Sequence, residues 1–130
     1  MIRTDFILEL IEQCAAMILA ALGHKDAQEA DQKLSSAVLT WTGLDLNIAS
    51  RLPTQTLVQL LGAQNAGSEE RMMLVGHALA HRCLMKRHGG AMQEALVLQE
   101  KAVALIEEAL RRQPKLEGTR TQAILTALYS

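Results

Sequence analysis

The chain has 130 residues and a formal net charge of −1 at pH 7, with 49% hydrophobic and 2% aromatic residues. A nearly neutral chain lacks the broad positive field of many nucleic-acid-binding domains, so we expect no nucleic-acid partner. With so few aromatic residues, Leu, Ala and Met must fill the core, and Leu and Ala are strong helix formers. Alternating strand-forming residues are missing, so the composition predicts an all-α fold in a single domain over 1–130.

Neither a membrane span nor a disulfide framework is indicated. The longest apolar run, residues 14–22, falls well short of the ~20 residues that cross a bilayer. Asp5 precedes the first apolar stretch and no clear cleavage site follows, so we expect no signal peptide. Two cysteines do not make a disulfide framework, and as free thiols they suit a reducing compartment. These features predict a cytoplasmic protein without a membrane partner.

Helical periodicity runs through most of the chain, and cap residues mark where helices begin and end. Thr4, Asp26 and Ser68 are expected N-caps, because their side-chain oxygens can accept hydrogen bonds from a first helical turn. Pro114 prevents the long helix before it from continuing. The predicted domain consists of a helix pair over 5–42 (5–22 and 27–42), an irregular connector over 43–67 with short turns near 44–48 and 53–61, a second pair over 68–113 (68–88 and 92–113), and a C-terminal helix over 117–128.

Two of the predicted helices, 5–22 and 68–88, are apolar almost all round, so protein must cover most of their surface. The cover is the rest of the same chain, a foreign protein partner or a second copy. A self-complementary two-fold contact would bury these faces in a homodimer, with Ile7 and Met73 inside the contact. We therefore expect a homodimer, and the other two interpretations stay open.

The two helix pairs share a spacing of small residues. It is carried by Gly90, Glu94-Ala95-Leu96 and Lys101-Ala102 in the second pair, and by Ala30 and Ala37 in the first. This pattern resembles the inner part of a tetratricopeptide (TPR) repeat, in which small residues let two helices approach closely. Leu79, Arg82 and Cys83 stand where that repeat has an aromatic residue and a Leu-Gly step. The alternative is two unrelated antiparallel helix pairs with alanine at their contact.

The resemblance implies a short right-handed superhelix, or bundle, of about five to six helices arranged in antiparallel pairs. It would place His77, Leu84 and Arg87 on the concave side, where related repeats hold peptides, so these are the expected partner-binding residues. The opening residues Asp5-Phe6-Ile7 and Ile11-Glu12-Gln13 are also similar to a family of small bacterial helical proteins with TPR-like folds and no known activity. That similarity implies a bacterial, cytoplasmic protein.

A histidine pair on the predicted helix 68–88 is the sharpest candidate for chemistry. His77 and His81 are four residues apart and share one helix face, a spacing that can hold a metal ion. Ala78 stands where a zinc protease has its catalytic glutamate, which excludes that type of hydrolysis. A third ligand would have to be His88, His24 or a distant carboxylate. The alternative is that the pair consists of hydrogen-bonded packing residues.

A basic patch of Arg82, Lys86, Arg87 and His88 ends the same helix. We favour the interpretation that it complements the negative end of the helix, with an anion site as the alternative. Cys83 is expected to be a small core residue.

No nucleophile–base pair, phosphate-binding loop or cofactor motif is recognisable, so we expect neither an enzyme nor a bound cofactor. The sequence favours a non-catalytic protein-interaction or scaffold module that self-associates. The alternative function is a small-ligand or metal sensor that uses His77 and His81.

Overall fold

The computed structural model describes Glu9, residues 25–63 and residues 67–129. All regular structure in these residues is helical, which confirms the predicted all-α fold. The predicted helix over 5–22, with its cap Thr4, lies outside the described residues apart from Glu9. In chain order the described elements are α1 (Lys25–Thr42), α2 (Leu46–Ala49), α3 (Thr54–Gly62), α4 (Ser68–His88), α5 (Met92–Arg112), a 3₁₀ turn (Pro114–Leu116) and α6 (Thr119–Tyr129).

Two antiparallel 21-residue helices, α4 and α5, form the centre of the described structure. A tight turn joins them, and Gly90 within it has a φ of +86°, a left-handed conformation that favours glycine. The helices approach most closely at Gly76, where a Cβ atom would lie 2.7 Å from Ile106 Cγ1 and 3.3 Å from Leu105 Cβ. Gly76 therefore sets the distance between the two helices.

Alanines of α5 line the same contact. Ala95, Ala102 and Ala109 recur every seven residues, and none is more than 1% exposed. Their small side chains leave room for the bulky residues of α4, which is the packing that the alanine spacing predicts. The assignment of this pair to a TPR-like repeat stays a prediction.

The central helix, α4, is covered by its own chain. Every residue from 72 to 81 is buried, and Met73 is 0% exposed. The expectation that this helix contributes a dimer contact through Met73 is therefore wrong, because the apolar faces are used to pack the monomer. Ile7, the other residue expected in that contact, lies outside the described residues.

The shorter helices pack around this pair with one apolar stripe each. In α1, Ala30, Leu34 and Val38 recur every four residues and are buried, and among the described elements α1 packs mainly on α4. Helix α3 contacts both long helices, and its buried leucines are Leu57 and Leu61. In α6, near the chain end, Ile124 and Leu128 are buried.

The helix termini differ from two of the predicted caps. Asp26 is already inside α1, so it is not the residue before the helix. At the start of α4 the cap position is Gly67, with a φ of +76°, and the Ser68 hydroxyl instead donates to the Glu69 carboxylate at 3.1 Å. Asp45 does cap a helix by its side chain, accepting from the backbone N–H of Asn47 at 2.7 Å at the start of α2.

Candidate functional site

The histidine pair lies in the interior of the molecule. His77 is 2% exposed, and its Nε2 is 3.1 Å from the Thr121 hydroxyl of α6 in a buried hydrogen bond. Burial lowers the pKa of His77 from 6.5 to about 4, so the ring is neutral at pH 7. His81, one turn later on α4, is 0% exposed. The geometry of His77 is that of a hydrogen-bonded packing residue joining α4 to α6.

The structure does not complete a metal site around this pair. In the part of the chain that is described, no three His, Cys, Asp or Glu side chains are close enough to hold one ion. His88 lies exposed at the far end of α4, and His24 is outside the described residues. The expected metal ligands His77 and His81 therefore gain no third ligand from the described residues.

Burial also removes two of the three expected peptide-binding residues from the surface. His77 and Leu84 are 2% and 4% exposed, so the folded chain does not present either side chain to a partner. Arg87, the third residue, is half-buried and bonded within the chain. Its Nη1 donates to the Ala127 carbonyl at 2.8 Å, and its Nη2 donates to the Leu128 carbonyl at 2.9 Å. Arg87 thus caps the C-terminal end of α6.

Two further arginines make the same kind of contact with the ends of other helices. Arg71 of α4 donates from Nε to the Trp41 carbonyl at 3.1 Å, near the end of α1. Arg112 of α5 donates from Nη1 to the Gly62 carbonyl at 3.1 Å, at the end of α3. The last carbonyls of a helix lack intrahelical partners and carry partial negative charge, so a guanidinium is well suited to them.

Arg82 connects α4 to the first two helices. Its Nε donates to Asp31 Oδ1 at 3.0 Å, its Nη2 to the Ser35 hydroxyl at 3.2 Å, and its Nη1 to Asn47 Oδ1 at 2.6 Å. The guanidinium is therefore held by hydrogen bonds to side chains of α1 and α2. The sequence pattern had placed Arg82 and Arg87 in a basic patch at the end of the helix, whereas both act as cross-links between helices.

A surface cleft of about 480 Å³ opens beside Arg82. Lys86 at its wall pairs with Glu94 at 2.9 Å, and Arg82 pairs with Asp31, so two of its three cations are already neutralised. The anion-binding interpretation of the basic patch is weakened by these pairs. The lining residues are Asn47, Ser50, Arg51, Arg82, Lys86, Glu94, Val97 and Leu98.

Cys83, by contrast, behaves as a core residue. It is 0% exposed, its thiol donates to the Ala95 carbonyl at 3.2 Å, and burial raises its pKa. A thiol that stays protonated and covered is a poor nucleophile.

An exposed apolar surface lies on the outward side of α5. Met92, Leu96 and Val97 are 51%, 61% and 50% exposed, and Tyr129 at the end of α6 is 63% exposed. Leu96, Val103 and Tyr129 also line a shallow groove of about 370 Å³ together with acidic side chains. We call Met92, Leu96, Val97, Val103 and Tyr129 the α5 outer face. Clustered large apolar side chains in water mark a contact surface more often than a solvated one.

Sequence reasoning missed the α5 outer face, although a signal was present. At 100° per residue, Leu96 and Val97 lie 100° and 200° from the buried Ala95, outside the stripe that packs on α4. Apolar residues outside the core stripe of an otherwise amphipathic helix are the pattern that would have indicated it.

No helix of the described residues is long and apolar enough to cross a bilayer.

Searches against family models, curated proteins and solved structures find no match to this chain. No relative therefore indicates a role for it.

Proposed function

We propose that this chain is a non-catalytic protein-interaction module that self-associates, and that the α5 outer face is its contact surface. The observation that carries the proposal is the cluster of exposed apolar side chains on α5, beside a central helix whose own apolar faces are buried. Burying such side chains against a partner removes apolar area from water, at about 25 cal/mol per Å².

The arrangement of charges supports the same proposal. Arg82 and Arg87 hold helices together, and His77 is a neutral interior group. These polar side chains of α4 thus stabilise the fold, while Met92, Leu96 and Val97 of α5 face outward. A TPR-like helix pair, which the alanine contact of α4 and α5 favours, is an architecture suited to presenting one helix face to another protein.

The proposal is tested by the mass of the protein in solution, measured by light scattering between about 1 μM and about 1 mM, the range of weak to moderate association. We expect a dimer for the unmodified chain. Leu96→Glu should give a monomer over most of that range, because a carboxylate would be desolvated in an apolar contact.

Leu39→Glu is the matched control. Leu39 is 53% exposed on α1, so both variants introduce the same charge at a leucine that is more than half exposed. A surface change of this kind alters stability by about 0.5 kcal/mol or less, so both variants should fold. Dimer loss in Leu96→Glu alone supports the proposal, and a monomeric unmodified chain overturns it.

A further inference from the structure

The shallow groove on the α5 outer face is acidic as well as apolar. Two carboxylates, Glu100 and Glu107, line it beside the apolar side chains of Leu96, Val103 and Tyr129. Both glutamates are exposed, so their charge acts on any group that enters the groove. No lysine, arginine or histidine is among the described residues that line it.

The other two glutamates of α5 are already paired within the chain. Glu94 binds Lys86 at 2.9 Å, and Glu108 binds Arg112 at 2.7 Å. Arg111 also donates to Glu108, from Nε at 2.9 Å. The two arginines at the end of α5 therefore neutralise Glu108 and leave the carboxylates of the groove without a cation.

The two groove carboxylates accept hydrogen bonds only from neutral hydroxyls among the residues that the structure describes. Glu100 accepts from Thr54 at 3.4 Å, and Glu107 accepts from Tyr129 at 3.2 Å. A hydroxyl leaves the carboxylate charged. The Tyr129 ring, 63% exposed beside Glu107, adds an aromatic face on which a cation can lie. The groove is therefore suited to a cationic group that has an apolar neighbour.

The spacing of the carboxylates matches that of side chains on a helix. Glu100 and Glu107 are seven residues apart, which is about 10.5 Å along α5, and they lie within about 20° of each other around it. In a second helix laid along the groove, side chains at i and i+7 have the same separation, and those at i+3 and i+4 lie between them. Cations at i and i+7 would meet the two carboxylates, while apolar side chains between them would cover Val103 and Ala104.

We propose that this groove binds a basic amphipathic helix of another protein, whose lysine or arginine side chains pair with Glu100 and Glu107. The inference rests on the proposed role of the α5 outer face as a contact surface and names a partner for it. A second copy brings the same two unpaired carboxylates to the face, whereas a basic helix neutralises them. The basic helix is therefore the tighter occupant, and it displaces the second copy.

The test uses two synthetic alanine-based peptides of about 15 residues, long enough to form a helix on binding. One has lysine at i and i+7 and leucine at i+3 and i+4, and the other has glutamate in place of both lysines. Binding is followed by the fluorescence anisotropy of labelled peptide as the chain is added up to about 1 mM. The lysine peptide should bind about tenfold more tightly, because the glutamate peptide replaces two ion pairs with like-charge contacts.

Variants of the chain locate the binding to the groove. Glu100→Gln combined with Glu107→Gln should weaken the lysine peptide about fivefold, the loss expected for two exposed ion pairs. Glu100→Lys combined with Glu107→Lys should reverse the preference, so that the glutamate peptide binds more tightly. Glu29→Gln is the matched control, because it removes a carboxylate from an exposed position of α1 and should leave the affinity unchanged. Circular dichroism of each variant establishes that it is folded.

Light scattering separates this inference from self-association. Saturating lysine peptide should convert the dimer into a complex of one chain with one peptide. Failure of both peptides to bind, equal affinity for the two, or an affinity that the glutamine variant leaves unchanged overturns the basic-helix partner and leaves a measured dimer standing. A monomeric chain that binds the lysine peptide with the expected preference supports the partner and overturns self-association. A dimer that binds the peptide and stays intact overturns the shared surface.

Discussion

The contact between α4 and α5 differs physically from the contacts that hold the outer helices α1, α2, α3 and α6 against this pair. The long pair is held by close apolar packing, with Gly76 and the α5 alanines where the helices approach. The outer helices add guanidinium contacts to their apolar stripes, made by Arg71, Arg82, Arg87 and Arg112. A tightly packed contact tolerates no added volume, whereas a contact through a long side chain can adjust.

The largest expected difference between these regions comes from adding one methyl group. Gly76→Ala should lower the free energy of unfolding by about 1–3 kcal/mol, because the new Cβ meets buried Ile106 in a closely packed interior. At Gly62, the atoms nearest to an added Cβ are those of the Arg112 guanidinium, at 2.9 Å, and that flexible end can move. Gly62→Ala should therefore cost less than about 1 kcal/mol.

Urea unfolding of both glycine variants gives this comparison directly. Equal losses of stability at the two positions would show that the α4–α5 contact is no tighter than the outer ones. Combining Gly76→Ala with Ile106→Ala should cost less than the sum of the single changes, because the second change removes the atom that the first one meets.

Lowering the pH should test the attachment of α6 through His77. The folded pKa of about 4 lies below the ordinary value of 6.5, so the unfolded chain takes up a proton first as the pH falls. This contribution to stability is complete above about pH 6.5 and is lost as the pH falls toward 4, which amounts to about 2 kcal/mol between pH 7 and pH 5.

The matched variant is His77→Gln, which cannot titrate but can keep a hydrogen bond to Thr121. Its stability should depend on pH less steeply than that of the unmodified chain, by that same ~2 kcal/mol over pH 5–7. Parallel pH profiles for the two proteins would mean that His77 is not a buried neutral group in the folded chain.

The smallest expected effect is local to the end of α6. Arg87→Ala removes the donors to the Ala127 and Leu128 carbonyls. The free energy of local unfolding at that helix end should fall by about 1 kcal/mol, which corresponds to roughly fivefold faster amide hydrogen exchange in α6. Amides in the middle of α4 and α5 should exchange at unchanged rates. Arg111→Ala is the control, since Arg111 is exposed and, among the residues that the structure describes, bonds only to Glu108. Equal acceleration in α6 for both variants would contradict the capping role.

The helical fold could be predicted from the sequence because its signals are local. Apolar periodicity and glycine stops place α4 and α5 almost to the residue, and the stripe of Ala30, Leu34 and Val38 identifies the buried side of α1. Caps were less predictable, as at Ser68, because a left-handed Gly67 can begin the helix instead. Pro114 does end α5, and the 3₁₀ turn that follows was not anticipated.

The candidate site could be predicted less well because it depends on which helix lies at the centre. An apolar helix such as α4 looks the same in sequence whether its own chain or a partner covers it, and only the packing shows that Met73 is interior. Arg82 and Arg87 looked like a basic surface, since the acceptors that bind them are distant in sequence. The α5 outer face, by contrast, had a local signal, because Leu96 and Val97 lie outside the stripe of α5 that packs on α4.

The most direct test of the account is a methyl NMR spectrum of the Met-, Leu- and Val-labelled chain, recorded over a dilution series. If the α5 outer face is the contact between copies, the methyl resonances of Met92, Leu96 and Val97 should shift with concentration. Those of Leu39 and Leu60, which are similarly exposed on α1 and α3, should stay constant. Constant resonances for all five residues, or shifts confined to Leu39 or Leu60, would contradict the account.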